Sequence, residues 1–358
     1  LLDDYPGSAS VGDRRGRTAL SWYLGAGSLM EGKKTNIFGE IDCANVIPWW
    51  HNKLSIQIIQ LLVSSAAARM VDKDMNRTPL HWACHFFACS VTPCFDTSAV
   101  SQVGPSIGLK IFQIILDHNI KALTSQDNNG ESPLHVMFSV VAEIQDTEWK
   151  SNRNQKYRGL NLTVGGPAAF NPSKQLIELL LKCPDTDGQD IKQLYDELGQ
   201  PLVSAASLEN KSGLLPLHTA LRVATSSECI QLLIQSNPVG LVHTSEVLMQ
   251  TPLIQAFSSP FSSPFQPLSN LKLLLAAYPT SRHGTFVDGR LAIKMEDAHG
   301  MYPIHYACQN QASFEILKLF VEKCNSCATY QNADGDLPLH SMLSRDNLFS
   351  ALKSGTTQ

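Results

Sequence analysis

The amino-acid sequence predicts an all-α fold, a solenoid of helix-turn-helix repeats with short β-hairpins or turns as fingers. Two observations predict it. A short phrase of the type Thr-Pro-Leu-His recurs along the 358 residues, and an apolar phrase recurs at the same place in each unit. Linked repeats of this kind are typical of solenoid proteins, in which each unit buries its apolar face against its neighbours.

The first phrase predicts the beginning of a helix. A hydroxyl at its first position can accept a hydrogen bond from the first turn, and a proline at the first helical position sacrifices no hydrogen bond. The next residue, for example Leu134, Leu217 or Leu339, is predicted to be buried. Copies lie at residues 78–81, 132–135, 215–218, 251–254, 302–305 and 337–340, with a degenerate copy at 18–21.

The second phrase predicts a second helix in each unit. It consists of an apolar residue, a polar residue and three apolar residues, so that apolar side chains three and four positions apart share one helix face. Its copies lie at residues 59–63, 112–116, 177–181, 230–234, 271–275 and 317–321.

A turn signal precedes most copies of the first phrase. It is an Asp or Asn followed three positions later by Gly, as in Asp127 and Gly130. Glycine and asparagine tolerate the left-handed backbone that a tight reversal needs. Asn76 takes the glycine position in the second unit. In the fifth unit Met249 takes it and Ile254 replaces the histidine, so this turn is the weakest match.

At these residues the chain resembles the ankyrin-repeat family, whose unit is about 33 residues long. The Gly-His that the family has between its helices is absent here, and Ser227 and Ser313 could cap the second helices instead. The resemblance implies that the phrase histidines are structural and form hydrogen bonds within and between repeats. These are His81, His135, His218, His305 and His340.

We expect a single solenoid over residues 1–358 that begins inside a truncated repeat, residues 1–12. The predicted repeats are 13–72, 73–126, 127–209, 210–246, 247–296, 297–331 and 332–358. The predicted insertions are approximately 25–53, 88–107, 143–173, 184–208, 258–268 and 279–296. The first of them contains Trp49 and Trp50, which could cover the solenoid or anchor a partner.

The composition argues against several classes of protein. A hydrophobic fraction of 43% with 17% charged residues is unlike a disordered chain, and a net charge of -4 is unlike a nucleic-acid-binding protein. No apolar stretch has the length of a membrane span. Nine cysteines without a visible signal peptide favour reduced thiols and a cytoplasmic or nuclear location, although a targeting segment could precede Leu1.

Two motifs resemble catalytic or nucleotide-binding sequences. Residues 27–34 approach a phosphate-binding loop, but Lys34 stands where Ser or Thr should follow Lys33. Residues 104–108 match the Gly-x-Ser-x-Gly pattern around a nucleophile at Ser106, which requires a parallel sheet that helical repeats do not provide. We therefore predict no catalytic residue, no cofactor and no enzymatic activity.

Two cysteine motifs could bind a metal. His81, Cys84, His85, Cys89 and Cys94 have the residue types of a zinc site, but the first two are explained by the repeat. The pair Cys324 and Cys327 lacks the second pair of a structural zinc site, and we expect it to lie at a helix end and its loop. We predict no bound metal.

The resemblance implies a non-catalytic scaffold or adaptor that binds a protein partner through its hairpin tips and the exposed, concave side of the first helices. The expected tip residues are Arg15, Arg17, Met75, Arg77, Asn129, Glu131, Lys211, His299, Met301 and Asp336. The expected helix residues are His85, Phe86, Ser139, Arg222, Gln309, Asn310 and Arg345. Arg14, Arg15, Arg17, Lys73 and Arg77 make the first tips basic, which predicts an acidic segment in the partner.

Two alternatives stay open. The array could be the targeting or regulatory arm of a larger enzyme or channel, whose active domain lies outside these residues. A weaker alternative places a nucleotide or zinc function in the insertions.

Overall fold

The structure, a computed structural model, describes residues 6–26, 54–91, 105–143, 172–182, 204–223, 225–258, 267–279 and 286–343. The chain forms two compact units, residues 1–211 and 212–358, where we predicted a single array. The predicted all-α character is confirmed, because helices and turns make up nearly all of the described residues.

Unit 1 contains helices at the predicted positions of the first and second phrases. The helices are α1 Ala19–Ser21, α2 Leu54–Leu62, α3 Pro79–Val91, α4 Pro105–His118, α5 133–143 and α6 Lys174–Leu180. A π-helical turn, Trp22–Ala26, continues α1. The hydroxyl of Thr18 accepts a hydrogen bond from Ser21 N at 3.2 Å, so the degenerate first copy also begins a helix as predicted.

In unit 1, first-phrase helices contact first-phrase helices, and second-phrase helices contact second-phrase helices. Helix α1 and the π-helical turn contact α3, while α2 contacts α4 and α4 contacts α6. The core between them contains the phrase residues Leu80, Leu134, Ile59 and Phe112, each at most 1% exposed. Burial of one apolar side chain of this size stabilises a fold by about 1.5–3 kcal/mol.

Unit 2 contains α7 Pro216–Arg222, α8 Ser227–Ser236, α9 Pro252–Ser258, α10 Leu268–Leu274, α11 Pro303–Gln309, α12 Phe314–Lys323 and α13 Pro338–Met342. The first-phrase helices α7, α9, α11 and α13 contact one another in chain order, and the second-phrase helices α8, α10 and α12 do the same. Leu217, Leu253 and Ile304 lie in the core. Leu339 is 60% exposed, so the prediction that it is buried was wrong. Its helix, α13, is the last described helix and packs against α11.

A short 3-10 helix follows most of the second-phrase helices, a feature that the two phrases did not predict. These helices are Ala67–Arg69, Ile120–Thr124, Ala205–Ser207, Pro238–Val242, Gly289–Lys294 and Asn325–Thr329. Each buries a small residue, such as Ala122, Ala205 or Gly240. The 3-10 helices that begin at residues 205 and 289 therefore belong to this recurring pattern. The insertions predicted at 184–208 and 279–296 are shorter than expected.

The strands β1 Ala277–Pro279 and β2 Phe286–Asp288 form an antiparallel pair in which Tyr278 lies opposite Val287. In the described part of the chain this is the only sheet, and it follows α10 rather than forming one of the predicted fingers, which are turns. No helix among the described residues has the length and hydrophobicity needed to cross a membrane.

Candidate partner-binding surface

Each turn is closed by the side chain of its first residue. Asp127 Oδ1 accepts hydrogen bonds from Asn129 N at 2.8 Å and Glu131 N at 3.0 Å. The same carboxylate or amide geometry recurs at Asp13, Asp297 and Asn332. The left-handed residue predicted near the end of each turn is confirmed at Gly16, Gly130, Gly213, Gly300 and Gly335, and at Asn76 and Met249, whose φ angles are 57° and 52°.

Several turns that follow one another along the chain are joined by backbone hydrogen bonds. In unit 1, Lys73 N donates to Arg15 O at 2.7 Å and Asn128 N donates to Met75 O at 2.8 Å. In unit 2, Ala298 N donates to Leu248 O at 3.0 Å. We call residues 13–17, 72–77 and 127–131 the turn surface of unit 1, and residues 245–250, 297–301 and 332–336 the turn surface of unit 2.

The phrase histidines attach each first helix to the next turn. His81 Nδ1 accepts from Thr78 N at 3.2 Å, which leaves the proton on Nε2, and Nε2 donates to Glu131 O at 3.0 Å. His218 and His305 reach Gln250 O and Asp336 O in the same way, each at 3.1 Å. The predicted structural role is confirmed for these three. His340 accepts from Leu337 N but is exposed.

These buried histidines are neutral. Burial is the main cause that lowers the pKa of His81 to about 4, against the opposing effect of its hydrogen bond to Glu131. Burial also lowers the pKa of His305. A protonated Nδ1 would face a backbone N–H donor, so the charged form does not fit this position.

Arg77 is buried in a cluster of charges, and the prediction that it is an exposed tip residue was wrong. It is 8% exposed, and its Nε donates to Asp127 Oδ2 at 2.9 Å. Its guanidinium also lies 3.7 Å from Glu131 and over the ring of Trp82. The side chain is held inward because aromatic stacking and a fully buried carboxylate satisfy it there.

Arg17 is also buried, which corrects its predicted exposure. It is 8% exposed, pairs with Asp13 at 2.7 Å and lies 4.3 Å from the ring centroid of Trp22. Partial burial acts to raise the pKa of Asp13, but hydrogen bonds from Arg17 and Trp22 outweigh it and hold that pKa well below its usual range.

An aromatic donor to the turn carboxylate is a second feature that the sequence analysis missed. Trp22 Nε1 donates to Asp13 and Trp82 Nε1 donates to Asp72, both at 3.1 Å, while Tyr306 Oη donates to Asp297 at 2.6 Å. Each aromatic directly follows the fourth residue of the first phrase. This fixed position after the first phrase could have predicted the aromatic donors.

His85 and Glu131 extend the Arg77 cluster along the first helices. Burial raises the pKa of Glu131, whose Oε1 accepts from Ser139 Oγ at 2.6 Å. Burial and the nearby Arg77 lower the pKa of His85 to about 3. Arg77 donates to His85 Nδ1 at 3.3 Å, and the enclosed Nε2 has no hydrogen-bond partner among the described residues. Phe86 is half-buried beside them.

The other predicted residues of unit 1 are accessible. Arg15 is exposed and lies 3.5 Å from Asp74, Met75 is half-buried, and Asn129 and Lys211 are exposed. The exposed residues therefore carry less free positive charge than predicted.

In unit 2 the predicted residues divide into accessible and structural ones. His299, Gln309 and Asp336 are exposed, and Arg222 and Met301 are half-buried. Asn310 is structural, because its amide donates to Phe257 O at 2.8 Å and ties α11 to the end of α9. Arg345 lies outside the described residues.

The most exposed apolar side chains of the turn surfaces were not predicted as site residues. Val247, Leu248 and Met249 are 70%, 42% and 53% exposed at the tip of one turn. Met249 was noted in the sequence only as a departure from glycine. The feature that could have identified this tip is a run of three apolar residues at a position where the other turns are mostly polar.

The candidate metal and catalytic motifs lie partly outside the described residues. No group of three His, Cys, Asp or Glu side chains that could hold a metal occurs in the part of the chain that the structure describes. Residues 27–34, Cys94 and the side chains of Cys89 and Ser106 lie outside it. Cys324 follows α12 as predicted, with its Sγ 3.3 Å from Tyr330 Oη.

The sequence matches no protein-family model, and a search of the curated proteins finds no similar sequence. The function must therefore be argued from the residues and their geometry.

Proposed function

We propose that this chain is a non-catalytic protein-binding scaffold or adaptor, an ankyrin-type solenoid that engages its partner through its turn surfaces. One observation carries the proposal. Backbone hydrogen bonds join the three turns of the unit 1 surface in succession, and they join the turns 245–250 and 297–301 of unit 2, so that exposed side chains form a row in each unit. A row of rigidly held turns suits recognition of an extended protein segment, because little conformational entropy is lost on binding.

The chemistry of the first helices supports binding rather than catalysis. Their histidines are neutral and occupied by backbone groups on both ring nitrogens at His81, His218 and His305. Burial raises the pKa of the Cys84 thiol far above neutral, so it is not a nucleophile. The groups that vary from unit to unit are the exposed turn residues, which is where specificity can reside.

Affinity purification with the full chain as bait tests the proposal. We expect a defined set of proteins to be retained by the wild type, and to be lost with Arg15→Ser, Asn129→Arg and His299→Ser combined, because these exposed residues lie on both turn surfaces. A matched control changes Gln60→Arg and Lys318→Ser, which are exposed on second helices. Retention by all three baits would contradict the turn-surface proposal. Covalent labelling of Ser106 by a fluorophosphonate would contradict its non-catalytic part.

A further inference from the structure

One turn of unit 2 carries an apolar tip that stability does not explain. Val247, Leu248 and Met249 project at the tip and are largely exposed, although exposed apolar residues gain nothing from folding. We call these three residues the apolar tip. Five other turns have glycine at the position of Met249. Methionine there holds a φ of 52°, a left-handed backbone that residues with a Cβ adopt only under steric strain.

The backbone of the apolar tip is nevertheless well fixed. Met249 N donates to Ser245 O at 3.1 Å, Gln250 N donates to Ser245 Oγ at 3.1 Å, and Ala298 N donates to Leu248 O at 3.0 Å. The apolar side chains are therefore presented from a turn that is tied at both ends and to its neighbour. A preorganised apolar group of this kind binds with little ordering cost.

Acidic side chains share the turn surface of unit 2 with the apolar tip. The charged residues of the turn surface of unit 2 are Glu246, Asp297, Asp334 and Asp336, and this surface contains no lysine or arginine. Asp297 is buried and closes its own turn, while the other three are exposed. A turn surface of exposed apolar and acidic side chains is complementary to a segment that carries apolar and basic side chains.

We propose that the turn surface of unit 2 binds a basic segment of a partner protein that places an aliphatic or aromatic side chain against the apolar tip and a lysine or arginine beside Glu246. This inference rests on the proposed function and specifies the partner's chemistry. An anionic membrane is disfavoured as the occupant, because the exposed acidic residues would repel it.

Selection of random twelve-residue peptides displayed on phage against the biotinylated full chain tests this inference. We expect the enriched peptides to contain an apolar residue together with lysines or arginines. Leu248→Ser should weaken their binding about 10-fold or more, as expected for the loss of one buried aliphatic contact. Glu246→Lys with Asp334→Lys should slow association and reduce its dependence on salt. Phe314→Ser, which removes an apolar side chain of α12 that is more exposed than Leu248, should leave binding unchanged.

Met249→Gly separates binding from folding. Glycine adopts a φ of this sign without strain, so this variant should unfold at a temperature about 2 °C higher or more and yet bind the peptides less tightly. Enriched peptides that are acidic, or that bind the Leu248→Ser and Met249→Gly variants as tightly as the wild type, would overturn the inference and leave the proposed function intact. Binding to phosphatidylserine vesicles that depends on the apolar tip would also overturn it. Absence of any enriched peptide would count against the proposed function as well.

Discussion

Arginine side chains of neighbouring turns have different surroundings in this protein. Arg15 is exposed, with 47% of its side chain accessible, beside an exposed Asp74. Arg77 is buried against Asp127, whose side chain is fully buried. An exposed ion pair contributes about 0–1 kcal/mol, whereas removal of one partner from a buried pair leaves an uncompensated charge.

Arg77→Ala should therefore lower the free energy of unfolding by about 3–5 kcal/mol, because Asp127 would stay buried without its cation. Arg15→Ala should change it by less than about 1 kcal/mol. Urea unfolding of both variants with the wild type measures the difference. Equal losses for the two variants would mean that Arg77 is not buried in solution.

The pH dependence of stability should report the neutral histidines. The folded pKa of His81 is about 4, below its ordinary value of 6.5, so between these values the unfolded state binds more protons than the folded state. The stability contributed by neutral His81 is fully present above about pH 6.5 and is lost as the pH falls towards 4. The total loss is about 3 kcal/mol.

His81→Gln should reduce this slope, because glutamine does not titrate, while lowering stability at neutral pH through loss of the attachment to Glu131. Unfolding free energies at several pH values between 4 and 7 compare the variant with the wild type. An identical slope in the two proteins would contradict a buried, neutral His81.

At the scale of the elements, equivalent leucines of the first phrase should have unequal effects. Leu217→Ala should lower the free energy of unfolding by about 2–5 kcal/mol, because its side chain is 3% exposed between α7 and its neighbours. Leu339→Ala should cost less than about 1 kcal/mol, because its side chain is 60% exposed on α13. Denaturant unfolding of both variants measures this, and a comparable loss at Leu339 would show that α13 is covered in solution.

The helices and turns were predictable because local signals specify them. Proline and a hydroxyl begin the first helices, and glycine or asparagine supplies the left-handed residue of a turn. The 3-10 helices were missed because their signal in the sequence is only a small residue, such as Ala122, and small residues also occur in loops. The aromatic donors Trp22 and Tyr306 were missed because their partner is a carboxylate about nine positions upstream.

The candidate site was less predictable than the fold. Arginines at turn positions were predicted as exposed because charged residues in loops usually are, and only tertiary contacts with Trp82 and Asp127 bury Arg77. The apolar tip was visible in the sequence, but its exposure was not, since three apolar residues in a row read equally well as core.

At the scale of the whole molecule, the two turn surfaces differ in charge. The turn surface of unit 1 carries exposed Arg14, Arg15 and Lys73, of which Arg15 is paired with Asp74. That of unit 2 carries exposed carboxylates and the apolar tip. From the sequence, the basic turns of unit 1 were the main candidate for binding a partner. Because Arg17 and Arg77 are buried, the turn surface of unit 2 is the stronger candidate.

Site-specific photo-cross-linking tests the central claim, that partners are bound by the turn surfaces, most directly. A benzophenone amino acid is introduced singly at the exposed turn positions Arg15, Asn129 and His299, and at the second-helix positions Gln60 and Lys318 as controls. We predict defined cross-linked products in cell extract from the turn positions alone. Products of equal yield from Gln60 and Lys318, or from these two positions only, would contradict the account.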